Sequence, residues 1–386
     1  MSIISNLQDR LFSQKKAVSV GLTEVDVRRA LESVIDPDLK RDIVSLGFVK
    51  NILISGERVS FDVELTTPAC PVKELLKKQC EDAVMALPGI ESVDVRMGAM
   101  TRGGSKITAP NIQQALGQVK NIIAVSSGKG GVGKSTTAVN MAFALAKSGA
   151  RVGVLDADVY GPSIPLMTKT ANPTEQQGDM IVPPMVSGVK FISVAMFNSA
   201  KQASILRGPM AAQIVKQFLS QVAWGNLDYL IIDYPPGTGD IQLTISQVAP
   251  VTGAVIVTTP QEIALIDVRK AISMFDTLKV PVIGIVETMS YFICDGCEKK
   301  HQIFRAGGGT RLSKEYGLPL LGEIPIDALV TEGCDEGRPV VMNEVSSPAS
   351  LAYTAASGEL ARQLAMLHSS EGEYLSQFNL IWKEMS

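Results

Sequence analysis

Residues 121–135 read NIIAVSS and then GKGGVGKS, an apolar run set directly against a glycine-rich octapeptide of the form G-x-x-x-x-G-K-[ST]. The apolar run predicts a buried strand, and the residues after Ser135 predict a helix. Strand, glycine turn and helix in that order bring backbone amides and a helix N-terminus to one point, a ready cradle for phosphate. Gly128, Gly130, Gly131 and Gly133 let the chain turn around Val132 without Cβ clashes. Lys134 is then expected to reach the β- and γ-phosphates, and the Ser135 hydroxyl to ligate Mg²⁺. Thr136, next in the helix, is expected among the nucleotide contacts.

Similar apolar runs recur at Arg151–Asp158, Asp228–Tyr234, Gly253–Thr259 and Pro281–Thr288, several of them separated by helical stretches. Continuous apolar strands indicate a sheet covered on both faces. The expected fold class is α/β, a doubly wound, mostly parallel sheet over residues 118–368. A small α+β domain is expected before it, at residues 21–100. There a helix starts at an N-cap, Thr23, with Val27, Leu31 and Ile35 at helical spacing. Ser60–Thr67 and residues 91–97 alternate like half-buried strands, with a helix between them that has Pro71 near its start. Residues 1–20 read as a lead-in and 101–117 as a linker. Residues 369–386 read as a helical tail that places Tyr374, Phe378, Ile381 and Met385 on one face.

Charge and composition exclude other classes. Lysine and arginine total 36 against 39 acidic residues, and aromatics are 5%, which argues against nucleic-acid binding. No run of about 18 apolar residues suits a membrane span. The start resembles neither a signal nor a transit peptide, so the expected location is cytoplasmic. In such a reducing compartment, close cysteines point to metal or redox chemistry.

Three aspartates are candidates beside the loop. Asp233 ends a strand before Pro-Pro-Gly-Thr-Gly, where a carboxylate can hold magnesium through water. Asp156 and Asp158 end the preceding strand, and one of them can orient the attacking water. The plainer reading of each is turn or capping chemistry. Lys129, the other lysine of the loop, has no evident local task.

The five cysteines include one close pair, Cys294 and Cys297, in C-x-x-C spacing. That spacing lets two sulfurs face one metal, and His301 is a possible third ligand. Cys70 stands just before a helix start, where a thiolate is favoured, and a half-buried strand-end residue is the alternative. Cys80 and Cys334 read as structural.

The doubled lysine of KGGVGKS resembles the deviant Walker A branch of P-loop ATPases, which includes MinD, ParA, arsenite pump ATPases and nitrogenase iron protein. That resemblance makes Lys129 a catalytic residue acting across a dimer interface on the partner's nucleotide. GKGGVGKST, DADVYGPSIP, LRGPM, DYPPGTGD, VTTPQEIALIDVRKAI, MSYFICDGC, AGGGTRLSKEYGLPLLGEIPID and GRPVV together resemble the Mrp/ApbC family of iron–sulfur carrier ATPases. DPDLKRDIVSLGFVKNI and LTTPACPVKELL resemble the PaaD-like iron–sulfur assembly domain. The resemblance implies slow ATP hydrolysis with Mg²⁺ and a homodimer bridged by a 4Fe–4S cluster on Cys294 and Cys297. It also implies assembly proteins as donors and apo-proteins as recipients, with Cys70 as an accessory ligand.

Two positions depart from that family. Thr288 stands where the family has an asparagine that reads adenine, and a hydroxyl offers one donor and one acceptor on a single atom. Weaker adenine selectivity is expected. Arg305 stands in the loop before Gly307-Gly308-Gly309 and is expected to oppose a left-handed backbone there. Competing classes are a MinD- or ParA-like positioning ATPase, a nitrogenase-type electron donor and a zinc-stabilised ATPase.

Overall fold

The structure, a computed structural model, describes residues 22–99, 110–170, 176–197, 208–343 and 347–369. The expected lead-in, the first part of the expected linker and most of the expected tail lie outside these residues. The chain divides into two compact units. One holds the described residues up to Glu64 together with Val72–Gly98, and the other holds Leu65–Pro71 and the described residues from Ala99 onward.

The smaller unit comprises helix α1 (Glu24–Leu31), strands β1 (Val49–Ser55) and β2 (Arg58–Leu65), helix α2 (Lys73–Met85) and strand β3 (Ser92–Ala99). The strands form one sheet in the order β1-β2-β3. Thr23 caps α1 as expected, its side chain accepting from Asp26 N while Asp26 reaches back to Thr23 N. Val27 and Leu31 are buried, but the helix ends there, and Ile35 is 49% exposed and paired to Asp42 in a two-residue strand. The Pro37 that follows Asp36 disfavours helical backbone before it. α2 begins at Lys73 with Val72 as its N-cap, so Pro71 lies before the cap. Cys80 is fully buried, and burial pushes its thiol up to about 12, which suits a structural role.

The larger unit opens with α3 (Pro110–Leu116), a helix where the end of a linker was expected. Its Ile112, Ala115 and Leu116 are buried at i, i+3, i+4 spacing, the reason it is ordered. There follow β4 (Val119–Ser127), α4 (Lys134–Lys147), β5 (Val152–Asp156), α5 (Ile164–Thr168), β6 (Met185–Val186), β7 (Val189–Ser193), α6 (Gly208–Gln221), β8 (Leu227–Asp233) and α7 (Asp240–Val248). Then come β9 (Gly253–Thr258), α8 (Glu262–Thr277), β10 (Val282–Glu287), a short hairpin of β11 (Phe292–Ile293) and β12 (Lys300–His301), α9 (Gly308–Tyr316), β13 (Leu320–Glu323), α10 (Ala328–Glu336) and α11 (Pro348–Ser369).

Eight strands make one sheet in the order β6-β7-β5-β8-β4-β9-β10-β13, parallel except for the β6–β7 edge. Alternate residues of β4 enter opposite cores. Ile122 and Ala124 join α6, α7 and α8 on one face, and Ile123 and Val125 join α4 and α11 on the other. That two-sided burial explains the unbroken apolar strands and the α/β class. Parallel strands share one C-terminal edge, so the segments after β4, β5, β8 and β10 converge there.

Candidate functional site

Gly128–Gly133 joins β4 to α4. Gly131 and Gly133 have φ of 79° and 78°, a left-handed backbone that glycine adopts freely. Gly128 is needed for another reason: a Cβ there would lie 2.3 Å from the Asp267 carbonyl carbon, because α8 presses on the loop. The Ser127 hydroxyl donates to the Lys129 carbonyl at 3.0 Å. The Lys129 side chain is half-buried at the loop and has no ion-pair partner among the described residues.

Lys134 opens α4 and is 7% exposed. Its Nζ donates to Asp233 Oδ1 at 2.6 Å and lies 3.1 Å from Ser135 Oγ. The Ser135 hydroxyl donates to Asp233 Oδ2 at 2.5 Å. Asp156 sits opposite Asp233 on the neighbouring strand. Its Oδ2 accepts from the Ser193 hydroxyl at 2.9 Å, and its Oδ1 accepts from the Asp158 amide at 3.2 Å. Both aspartates are fully buried. Burial and the charge of Asp233 raise the Asp156 carboxyl well above its ordinary value, and burial likewise raises Asp233 against the pull of Lys134. Two carboxyls beside one ammonium hold a proton more tightly than usual, and a hard cation with oxygen ligands can take that proton's place. Ser135 and Asp233 present such ligands. Asp158 is half-buried, and its Oδ1 accepts from the Gly161 amide at 3.1 Å.

A cavity of about 530 Å³ adjoins the loop at Gly133 and Thr136, large enough for a small organic ligand. Thr288 and Met289 form one wall, and Ile324–Asp327 form another. Thr288 lines the cavity, yet its hydroxyl is turned to the loop, donating to the Val132 carbonyl at 2.6 Å with the Thr258 carbonyl at 3.0 Å. Cys334, read from sequence as structural, also lines the cavity, and its thiol is raised by burial and bonded to Thr136. Ile324–Asp327 falls at the end of AGGGTRLSKEYGLPLLGEIPID, one of the stretches that carry the family resemblance, whereas Cys334 lies in none of them.

Cys294 and Cys297 occupy the turn of the β11–β12 hairpin as free thiols, one half-buried and one exposed. The Glu298 amide donates to the Cys294 carbonyl at 2.8 Å, and the Cys294 amide to the Lys299 carbonyl at 3.1 Å. The amides of Gly296 and Cys297 and the Cys297 thiol point at the Cys294 sulfur and lower its pKa. His301 is exposed on β12 opposite Phe292, and among the described residues no three His, Cys, Asp or Glu side chains gather as a metal site. The possible third ligand from within the chain is therefore not brought to the pair. Cys70 is half-buried in Leu65–Pro71 and joins no such group either. Arg305 overturns its expectation, with φ of 72°; Met289 at 52° and Glu298 at 57° are further non-glycine residues of this segment with a left-handed backbone.

A glycine loop after the central strand of a doubly wound parallel sheet, with aspartates ending two neighbouring strands, defines a P-loop NTPase. Residues 118–361 match the family described as NUBPL iron-transfer P-loop NTPase, and residues 24–97 match the one described as iron-sulfur cluster assembly protein. The chain belongs to this family of iron-transfer P-loop NTPases, with the assembly domain in front. It is 47% identical to the iron-sulfur cluster carrier protein of Synechocystis sp., over 89% of this chain and 99% of that one. With the carrier of Escherichia coli K12 it shares 41%, over 91% and 95%. With the chloroplastic Fe-S cluster assembly factor HCF101 of Arabidopsis thaliana it shares 48%, over 83% and 60%. A nucleotide-binding protein from Archaeoglobus fulgidus, solved in complex with ADP, is 40% identical and superposes with a TM-score of 0.53, over 60% of this chain and 93% of that one. Among the described residues no helix is long and apolar enough to cross a membrane.

Proposed function

We propose that this chain is an ATP-dependent iron–sulfur cluster carrier that works as a homodimer. The observation that carries the reading is a pair of free, accessible thiols, Cys294 and Cys297, on a hairpin of the same unit as the phosphate loop. Two thiolates leave a four-iron cluster half-ligated, and a second copy supplies the other two. The Gly296 and Cys297 amides lower the Cys294 thiol from its ordinary value, which raises its share of thiolate, the ligating form.

In this reading the amides of Gly128–Ser135 cradle the phosphates of ATP, and the cavity beyond Thr136 takes the nucleoside. Ser135 and Asp233 hold Mg²⁺, which supplies positive charge to the phosphates. Lys134 leaves Asp233 for the β- and γ-oxygens, and Asp158 orients the attacking water. Lys129, with no ion-pair partner among the described residues, reaches the nucleotide of the facing copy and stabilises charge in the transition state. Slow hydrolysis then gates transfer of the cluster from assembly proteins to apo-proteins.

The test is anaerobic reconstitution with iron and sulfide, recording the visible spectrum, iron per chain and oligomeric state. Wild type should give a brown dimer with about four irons per two chains, and Cys294→Ala and Cys297→Ala should stay colourless. A colourless wild-type protein that retains zinc instead would replace the carrier with a zinc-stabilised ATPase.

A further inference from the structure

Glu287 ends β10 fully buried. One carboxylate oxygen, Oε1, accepts from the Ser290 hydroxyl at 2.5 Å. The other, Oε2, accepts from the Gly309 amide. Ser290 lies two residues before the cysteine hairpin, and Gly309 lies in the first turn of the helix that follows it. Both roots of the hairpin thus hang on one carboxylate. The approach of α9 to Glu287 is close, since a Cβ on Gly309 would stand 2.9 Å from the Leu320 Cδ1 and 3.1 Å from the Glu287 Cβ. The next residue, Thr288, holds the phosphate loop through Val132.

The segment between the roots is also shared with the cavity. Met289 at its start and Ile303 and Phe304 at its end line the cavity. The Ile326 amide, on the opposite wall, donates to the Tyr291 carbonyl at 2.7 Å. Met289 and Arg305, one near each root, both hold a left-handed backbone, which a residue with a Cβ adopts against its own preference. Such conformations persist where surrounding contacts impose them.

We infer that Glu287 is the positioning residue that couples occupancy of the nucleotide cavity to the geometry of the Cys294–Cys297 hairpin. It rests on the nucleotide reading above. A nucleoside in the cavity presses on Met289, Ile303 and Phe304, and the carboxylate makes the two roots respond together.

Peptide-resolved alkylation of Cys294 and Cys297 by iodoacetamide, with and without MgADP, tests this on the full chain. MgADP should slow alkylation of wild type by about threefold or more. Glu287→Ala should still bind MgADP within about threefold of wild type, while its alkylation rates no longer respond to the nucleotide. Glu287→Gln keeps an oxygen for Gly309 and an amide that can donate to Ser290 Oγ, so it should retain the response. Ser290→Ala frees one root in an otherwise intact site and should at least halve it. A Glu287→Ala protein that binds MgADP and keeps the wild-type response overturns the inference. If Glu287→Ala fails to fold, an undiminished response in Ser290→Ala overturns it equally. Wild type that binds MgADP without any change in alkylation sinks the coupling and leaves the nucleotide site standing. Wild type that fails to bind MgADP removes the nucleotide reading and the coupling with it.

Discussion

Thr288 Oγ1 lies 2.6 Å from the carbonyl oxygen of Val132, tying the end of β10 to the phosphate loop across 156 positions of sequence. A hydroxyl has one hydrogen to give, and here it goes to the loop. Thr288 therefore braces the phosphate cradle from the cavity wall. Thr288→Val keeps the shape and removes the brace, and should weaken MgATP and MgGTP by the same factor, about five- to tenfold for one lost hydrogen bond. Equilibrium titrations with both nucleotides check this. A loss confined to ATP would show that the hydroxyl reads the base.

The two loop lysines should separate cleanly. Lys134 is buried against Asp233, whereas Lys129 has no ion-pair partner among the described residues. Lys134→Ala removes the cation beside the phosphates and leaves Asp233 uncompensated, so nucleotide binding should disappear. Lys129→Ala should bind MgATP within about threefold and turn it over at least about tenfold more slowly, as expected of a charge needed only in the transition state. Turnover at the wild-type rate in Lys129→Ala would make that lysine a solvated loop residue.

The Cys294 thiol should titrate below the ordinary thiol value, because the Gly296 and Cys297 amides and the Cys297 thiol favour its thiolate. The thiolate is the reactive form, so alkylation of Cys294 should persist as pH falls past the point where an ordinary thiol loses reactivity. Cys297→Ala removes the thiol and keeps both amides. Its pH–rate midpoint should rise yet stay below the ordinary value. A midpoint at the ordinary value in wild type would mean that the hairpin amides do not face the sulfur in solution.

Asp228 anchors the opposite end of β8. It accepts from the Arg151 amide at 2.9 Å, from two guanidinium nitrogens at 3.1 and 3.0 Å, and from Lys120 at 2.9 Å. Against the penalty of burial, these partners hold its carboxyl well below the usual carboxylate range. The folded-state value is lower than the unfolded one. The stabilisation is therefore full above the unfolded carboxylate value, near pH 4, and is lost as pH falls through the folded value. Asp228→Asn should cost about 1–3 kcal/mol at pH 7. The gap from wild type in urea-denaturation midpoints should narrow in acid, and a constant gap would assign the loss to shape instead of charge.

What was legible in the sequence was local. GKGGVGKS predicts its own strand–turn–helix context because each residue's task there depends on near neighbours: glycine at positive φ, lysine at a helix start, serine beside it. The five central strands were legible because burial on both faces leaves only apolar residues to write them. Val189–Ser193, next to one edge of the sheet, and Leu320–Glu323, at the other edge, escaped notice. They are short, and Leu320–Glu323 includes a glycine and a partly exposed end. The helix at Pro110–Leu116 was hidden because a proline after a glycine-rich stretch reads equally as a linker or as a helix start.

The cavity was not legible for a different reason. Met289, Phe304, Ile324 and Cys334 meet only because parallel strands deliver their C-terminal ends to one edge, and no periodicity links residues that come from separate loops and helices. The same holds for Arg305, whose left-handed backbone is imposed by its surroundings against its own preference. The sequence by itself determined the class of fold, the phosphate loop and the presence of a thiol pair, since each is written in residues a few positions apart. Only the tertiary structure decided which way Thr288 turns, that Cys334 faces the cavity and that Glu287 holds both roots of the cysteine hairpin. Those contacts depend on the close approach of distant segments in a packed interior, where a side chain's partner is set by geometry and not by its place in the chain.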